Sequence, residues 1–218
     1  MGLNAAFAER AAKYPEGIIA YLESGEGNTT RALLSANIDI GRLVAVTHDA
    51  KAHEQLTRSY PQLQTKLALW KDYLTMEMRP IACAWADYCC EIFGRVDQKT
   101  GAVSSPPTEI HLALRRLARV AARGPTALAI TAAHTRLPPG RAAGIRAALL
   151  AAGIDPNLAA GRKALQPKTF IRHVVAEAAG KLGLAVRETA KATYASSSTG
   201  GFTMSYIEFE VVTASRDC

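Results

Sequence analysis

Cysteine, long apolar runs and paired metal ligands are what this chain has least of. Its four cysteines among 218 residues are Cys83, Cys89, Cys90 and Cys218. Cys89 and Cys90 are adjacent, which does not suit an ordinary disulfide. No Cys-x-x-Cys spacing occurs, so no zinc site and no other metal centre is expected. A reducing, cytoplasmic setting is the expectation. No run of 18 apolar residues is present, which argues against a membrane-spanning helix. Glu9, Arg10 and Lys13 stand where a signal peptide needs apolar residues. Ala6 stands where a myristoylation site after Gly2 needs Ser or Thr. Apolar residues make up 49% of the chain and mean hydropathy is close to zero, which excludes an extended disordered chain.

Acidic residues are scarce in one segment. Between Ile110 and His173 there are eleven Lys and Arg but one acid, Asp155, so that segment carries +10 and the remainder −3. A basic half of this kind suits a polyanionic partner, nucleic acid above all. Solvated helix faces are the plainer explanation.

The most informative stretch present is Ile18 to Leu34. It reads as a buried strand over 17–23, an acid at its end, a turn punctuated by Gly25 and Gly27, and a helix over 28–36. Glycines there remove side chains where a ligand must approach the backbone. Asn28 or Thr29 can cap the helix, whose first amides suit an anionic or polar group.

The alternation continues. A second strand, Leu43–Thr47, ends at His48-Asp49 and precedes a helix over 50–60. A third strand is expected over 66–70, ending at Asp72-Tyr73. A fourth is expected over 81–85, ending at Asp87-Tyr88. Helices over 108–123, 141–152 and 168–182 and a fifth strand over 127–133 follow. Two closing runs, 185–194 and 202–212, are joined by a short Ser- and Gly-rich turn and should pair antiparallel. Strand–helix alternation predicts a parallel α/β sheet with right-handed crossovers. Residues 1–218 read as one domain, with a helical segment over 1–16 and a terminal hairpin over 185–212. Four of the strands end in acids, Glu23, Asp49, Asp72 and Asp87, and ligands of such sheets sit beyond the carboxyl ends of the strands. A single acid at such a place is more often a cap or turn former.

This order of parts resembles the class I S-adenosylmethionine-dependent methyltransferases, over about Gly17 to Val212. Glu23-Ser24-Gly25-Glu26-Gly27-Asn28-Thr29 is similar to the family's acidic Glu/Asp-x-Gly-x-Gly loop, and Asp72-Tyr73 and Asp87-Tyr88 are similar to its third and fourth motifs. The resemblance implies a Rossmann-like open sheet of about seven strands, mostly parallel with an antiparallel C-terminal hairpin, and helices on both faces. It implies S-adenosyl-L-methionine as cofactor. Glu23 would take the methionine amino group, and Gly25 and Gly27 would admit the cofactor to the backbone. Asp49 would hold the ribose, with His48 competing for that place because Thr47 occupies the strand end. Asp72 would accept from the adenine amino group, with Tyr73 or Trp70 packed near the ring. Asp87 would orient the substrate or act as base, and Tyr88 would stack on substrate or cofactor. A nicotinamide dehydrogenase is disfavoured, because Thr30 stands where the dinucleotide fingerprint needs its third glycine.

The fold does not choose a substrate. Asp87-Tyr88-Cys89-Cys90 lacks the prolines of the family's amine-methylating run. Cytosine-5 chemistry wants a proline before its cysteine, which Cys89 and Cys90 lack. A ribose-methylating tetrad could draw on Lys13, Asp87 and Glu208, but Arg136 stands near the place of its second lysine. Arg115, Arg119, His134, Arg136 and Arg141 are the expected contacts to a nucleic acid, RNA favoured over DNA. Loops 95–107, 136–141 and 195–201 are the expected rim. Two alternatives remain: methylation of a small molecule or protein, and a catalytically silent methyltransferase-like module that binds RNA or a partner.

Overall fold

A computed structural model describes residues 2–88, 106–133, 150, 167–195 and 203–214. Seven strands form one sheet: β1 (Ile18–Leu22), β2 (Leu43–Thr47), β3 (Gln64–Leu67), β4 (Ile81–Tyr88), β5 (Thr126–Ala133), β6 (Leu184–Ala195) and β7 (Thr203–Thr213). Their order across the sheet is β3-β2-β1-β4-β5-β7-β6. The first five run parallel, and β7 lies antiparallel between β5 and β6. The α-helices among the described residues are α1 (Leu3–Ala11), α2 (Asn28–Ser35), α3 (Ala50–Ser59), α4 (Trp70–Met76), α5 (Pro106–Ala121) and α6 (Pro167–Lys181).

The central strands β1, β2, β4 and β5 are buried on both faces. This is why they read as continuous apolar runs rather than as alternation. Alternate residues feed two cores. One face carries Ala20, Val46, Ala84 and Leu128 against Trp70, Leu74, Leu114 and Phe170 of α4, α5 and α6. The other carries Ile19, Tyr21, Trp85 and Tyr206 against Phe7 and Leu33 of α1 and α2. Phe7 packs on Trp85 with ring centroids 4.8 Å apart. Both are buried, and closing a side chain of that size from water contributes roughly 2–3 kcal/mol.

The third strand falls earlier and is shorter than its expected range. β3 is an edge strand ending at Leu67, and Trp70 to Met76 is helical. The spacing explains it. Trp70, Tyr73 and Leu74 bury together on the sheet, which is the i, i+3, i+4 pattern of a helix. Leu67 and Leu69, whose alternation suggested a strand, are 53% and 59% exposed. The fourth strand runs three residues beyond position 85, so Asp87 and Tyr88 are its last two residues. The expected helix over 141–152 lies outside the described residues apart from position 150. Residues 95–105, 136–141 and 196–201 of the expected rim, and Cys89, Cys90 and Cys218, also lie outside them.

Candidate active site

Tyr21 of β1 lies level with Trp85 of β4. Strand alternation returns the side chain to the same face two residues later, so Glu23 and Asp87 both follow their aromatic neighbours at the carboxyl edge. A threonine stands beside each acid. The Thr30 hydroxyl donates to Glu23 Oε2 at 3.0 Å and lies 2.8 Å from the Tyr21 hydroxyl, which therefore donates to it. On the other strand the Trp85 indole N–H donates to Thr131 Oγ1 at 2.9 Å. Thr131 faces Asp87 across β4 and β5 and has a lowering effect on the Asp87 carboxyl.

The two carboxylates differ in what remains open. Glu23 Oε2 also accepts from the Thr30 amide at 2.8 Å, and Oε1 accepts from the Ser24 amide at 3.1 Å. Glu23 thus closes the first turn of α2. The N-cap residue is Gly27, in the left-handed region at φ 64° and with no capping side chain. The expected caps do not act as such: Asn28 instead donates to Glu26 at 2.8 Å, and Thr29 is buried. Asp87 has no such saturation. Its Oδ1 is buried without a hydrogen-bond partner. Burial pushes its carboxyl up to about 6, against the lowering effect of Thr131. Burial also raises Glu23, opposed by the Thr30 and Ser24 donors and reinforced by the nearby Asp87 charge.

The remaining expected residues divide among several places. A Cβ on Gly25 would collide with the Gln55 side-chain amide of α3, and one on Gly27 would lie 2.8 Å from the Tyr60 ring. The space beside both glycines is therefore filled by α3 and the residue that follows it. Asp49 is the N-cap of α3 and accepts from the Lys51 and Ala52 amides at 2.8 and 3.3 Å. His48 is exposed beside it. Asp72 is exposed in the first turn of α4, and Tyr73 is buried in that helix, where its ring stacks on Trp70. Tyr88 follows the opposite alternation from Asp87 and packs on the α5 side. There it lies beside Glu109, whose carboxyl is raised by burial and is influenced by Tyr88, Lys71 and Asp72. Arg115 and Arg119 are exposed on α5. Arg119 donates to the Met78 carbonyl, ahead of the start of β4 and so away from the carboxyl edge. His134, Arg136 and Arg141 lie outside the described residues.

The tetrad drawn from Lys13, Asp87 and Glu208 does not assemble among the described residues. Lys13 is exposed. Glu208 is buried and ion-paired to Arg10 at 2.7 Å, with Tyr206 and Thr189 donating to it at 2.7 and 3.1 Å. Sequence reasoning passed over Thr30, Thr131 and Glu109. The one signal was the repeated aromatic-x-acid, Tyr21-Leu22-Glu23 and Trp85-Ala86-Asp87, at the ends of two strands. No group of three or more His, Cys, Asp and Glu able to hold a metal is present among the described residues.

No family model matches the sequence, and no curated protein matches it. Solved structures do match. A proposed RNA methyltransferase of Pyrococcus horikoshii superposes with TM-score 0.53 at 7% identity, over 99% of this chain and 82% of that one. The plantazolicin methyltransferase BamL, solved with S-adenosylhomocysteine, gives 0.54 at 8% identity, over 95% and 83%. The N-methyltransferase NodS of Bradyrhizobium japonicum gives 0.50 at 12% identity, over 94% and 84%. The chain has the class I S-adenosylmethionine-dependent methyltransferase fold. The superpositions establish the methyltransferase fold, and identities of this size leave the substrate open.

Proposed function

We propose that the protein is an S-adenosylmethionine-dependent methyltransferase acting on nucleic acid, with RNA favoured. The observation that carries the cofactor is Asp87 Oδ1, a buried carboxylate oxygen without a partner, beside a second acid, Glu23, at the carboxyl edge of adjacent strands. Such an oxygen costs free energy until a cation or donor meets it. The ammonium and sulfonium groups of S-adenosylmethionine are of that chemistry, and the residues present fit them. Glu23 holds the start of α2 in place and adds negative potential. In this reading the exposed His48 after β2 would take the ribose and the exposed Asp72 the adenine side, because Asp49 caps α3 and Tyr73 is buried against Trp70. The cofactor supplies an already electrophilic methyl group. The chain's own task is to orient the acceptor and, where it carries a proton, to take that proton at Asp87. A carboxyl with a midpoint near 6 is ionised at neutral pH and still basic enough to do so.

The RNA preference rests on the +10 segment and on exposed Arg115 and Arg119, with His134, Arg136 and Arg141 nearby in sequence. The silent-module reading draws on a different observation, the filling of the space beside Gly25 and Gly27 by Gln55 and Tyr60. Thermal unfolding with S-adenosylhomocysteine separates the two. Ligand at 100 times its dissociation constant adds about 2.7 kcal/mol to stability. Asp87→Ala should abolish the gain. An unchanged melting curve of the wild type at millimolar ligand would reject the enzyme reading.

A further inference from the structure

Tyr21 carries the one polar side chain of β1, and both Tyr21 and Thr30 are fully buried. A buried hydroxyl is costly unless it is hydrogen-bonded. A threonine inside a helix ordinarily bonds the carbonyl three or four residues earlier. Those carbonyls, of Gly27 and Glu26, already accept from the Arg31 amide at 2.9 Å and from the Arg31 guanidinium at 3.1 Å. The Thr30 hydroxyl has one hydrogen to give. With the Tyr21 phenol donating to Oγ1 at 2.8 Å, that hydrogen goes to Glu23 Oε2 at 3.0 Å.

Glu23 Oε2 also takes the Thr30 amide at 2.8 Å, and Oε1 takes the Ser24 amide at 3.1 Å. A carboxylate at the end of β1 thus caps α2 from across the loop, where Gly27 at the N-cap offers no side chain. Between them the Gly27 amide closes a turn on the Ser24 carbonyl at 3.2 Å. A loop held in one shape before its ligand arrives loses less freedom on binding. We propose that Tyr21 and Thr30 are positioning residues: they clamp Glu23 across the 24–27 turn, so that the shape of the turn, and with it the affinity for the cofactor, is set before the ligand enters. This rests on the reading of the carboxyl edge around Glu23 and Asp87 as the cofactor's seat. The clamp itself does not depend on that reading. Burial raises the Glu23 carboxyl, the Thr30 and Ser24 donors oppose it, and Asp87 on β4 raises it further. Tyr21, which senses both Glu23 and Tyr60 after α3, is the other titratable neighbour among the described residues.

The test follows the Glu23 carboxyl by carbon-13 NMR, its resonance assigned with Glu23→Gln, in wild type, Tyr21→Phe, Thr30→Val and Thr30→Ser. Thr30→Val removes one donor to a charged group and should raise the Glu23 midpoint by about one pH unit. Tyr21→Phe lets the Thr30 hydroxyl turn away and should raise it by less. Thr30→Ser should restore it. Amide exchange at Gly25 and Gly27 should quicken in Tyr21→Phe and Thr30→Val. S-adenosylhomocysteine should bind about tenfold more weakly to Thr30→Val and as wild type to Thr30→Ser. Hydroxyls that only stabilise the fold would lower the melting temperature and leave midpoint, exchange and affinity as they were, and that result overturns the proposal. So does an unchanged affinity in a variant whose midpoint has moved, when the wild type binds. Should Thr30→Val not fold, Tyr21→Phe is read in the same way. If the wild type fails to bind, the cofactor reading falls, and midpoint and exchange still decide for or against the clamp.

Discussion

Asp87 and Glu77 pull on stability in opposite directions as pH changes. Asp87 has a folded-state midpoint near 6 against an ordinary value of 3.8. A raised carboxyl means that the folded state binds the proton more tightly. Its contribution is therefore fully present below about pH 4 and is lost as pH rises through 6. Asp87→Asn should stabilise the protein by up to about 3 kcal/mol at pH 8, with the difference vanishing at pH 4. Urea melts at the two pH values check this. Glu77 is the reverse case. Arg79 grips it through Nε at 2.9 Å and Nη2 at 2.7 Å, and this holds its carboxyl down at about 2. Its contribution is present above about 4.5 and fades toward pH 2. Together the two groups favour a stability maximum between pH 4 and 5, and Asp87→Asn should flatten the alkaline side of it. At this scale the sequence disclosed that Glu23, Asp49 and Asp87 stand at strand ends, and misplaced Asp72, which lies in the first turn of α4. It did not disclose that Glu23 is consumed in closing α2 and Asp49 in capping α3, because a carboxylate looks the same in sequence whether amides surround it or not.

Helix α1 shows how one element is tied to the sheet. Its Phe7 packs on Trp85, and its Arg10 neutralises Glu208, which is buried on β7. Removing one partner of a buried pair leaves an uncompensated charge. Arg10→Ala should therefore cost about 3 kcal/mol in denaturant melts, and Arg10→Ala/Glu208→Gln should recover part of that loss. The loop between β1 and α2 gives a second case. At Gly27, φ is 64° and the Tyr60 ring crowds the missing side chain. Gly27→Ala should cost about 1–2 kcal/mol whether or not a cofactor binds there. The same substitution is therefore a poor test of cofactor binding, and Asp87→Ala is the cleaner one. Element positions were legible wherever the apolar period was unambiguous, as at Leu43–Thr47 and over 28–35. They were misread at 66–73, where Leu67, Leu69 and Trp70 imitate a strand while Trp70, Tyr73 and Leu74 bury as a helix.

Across the whole molecule the charge is uneven, and α5 carries much of the described part of it. Arg116 is spent on the Leu74 and Thr75 carbonyls at the end of α4, where a cation suits a helix C-terminus. Arg115 and Arg119 stay exposed. If the segment is an RNA footprint, Arg115→Glu, Arg119→Glu and Arg141→Glu together should weaken RNA binding by tenfold or more. The slope of log affinity against log salt should become shallower by about 2, as three phosphate contacts require for single strands. Fluorescence anisotropy over 50–200 mM salt measures both, and unchanged binding would reject the footprint. No described helix is long and apolar enough to cross a membrane.

From residue order alone came the strand–helix alternation, the reversed terminal hairpin and the acids Glu23, Asp49 and Asp87 at strand ends. These follow from local spacing and apolar period, which a chain carries with it. Only packing decided which acid keeps an open oxygen. That depends on Thr30 reaching back to β1 and on Thr131 standing across from Asp87, contacts between residues 7 and 44 positions apart in the chain. Contacts of that kind leave no period in a sequence, so the difference between a structural carboxylate and a receptive one exists only once the sheet has formed.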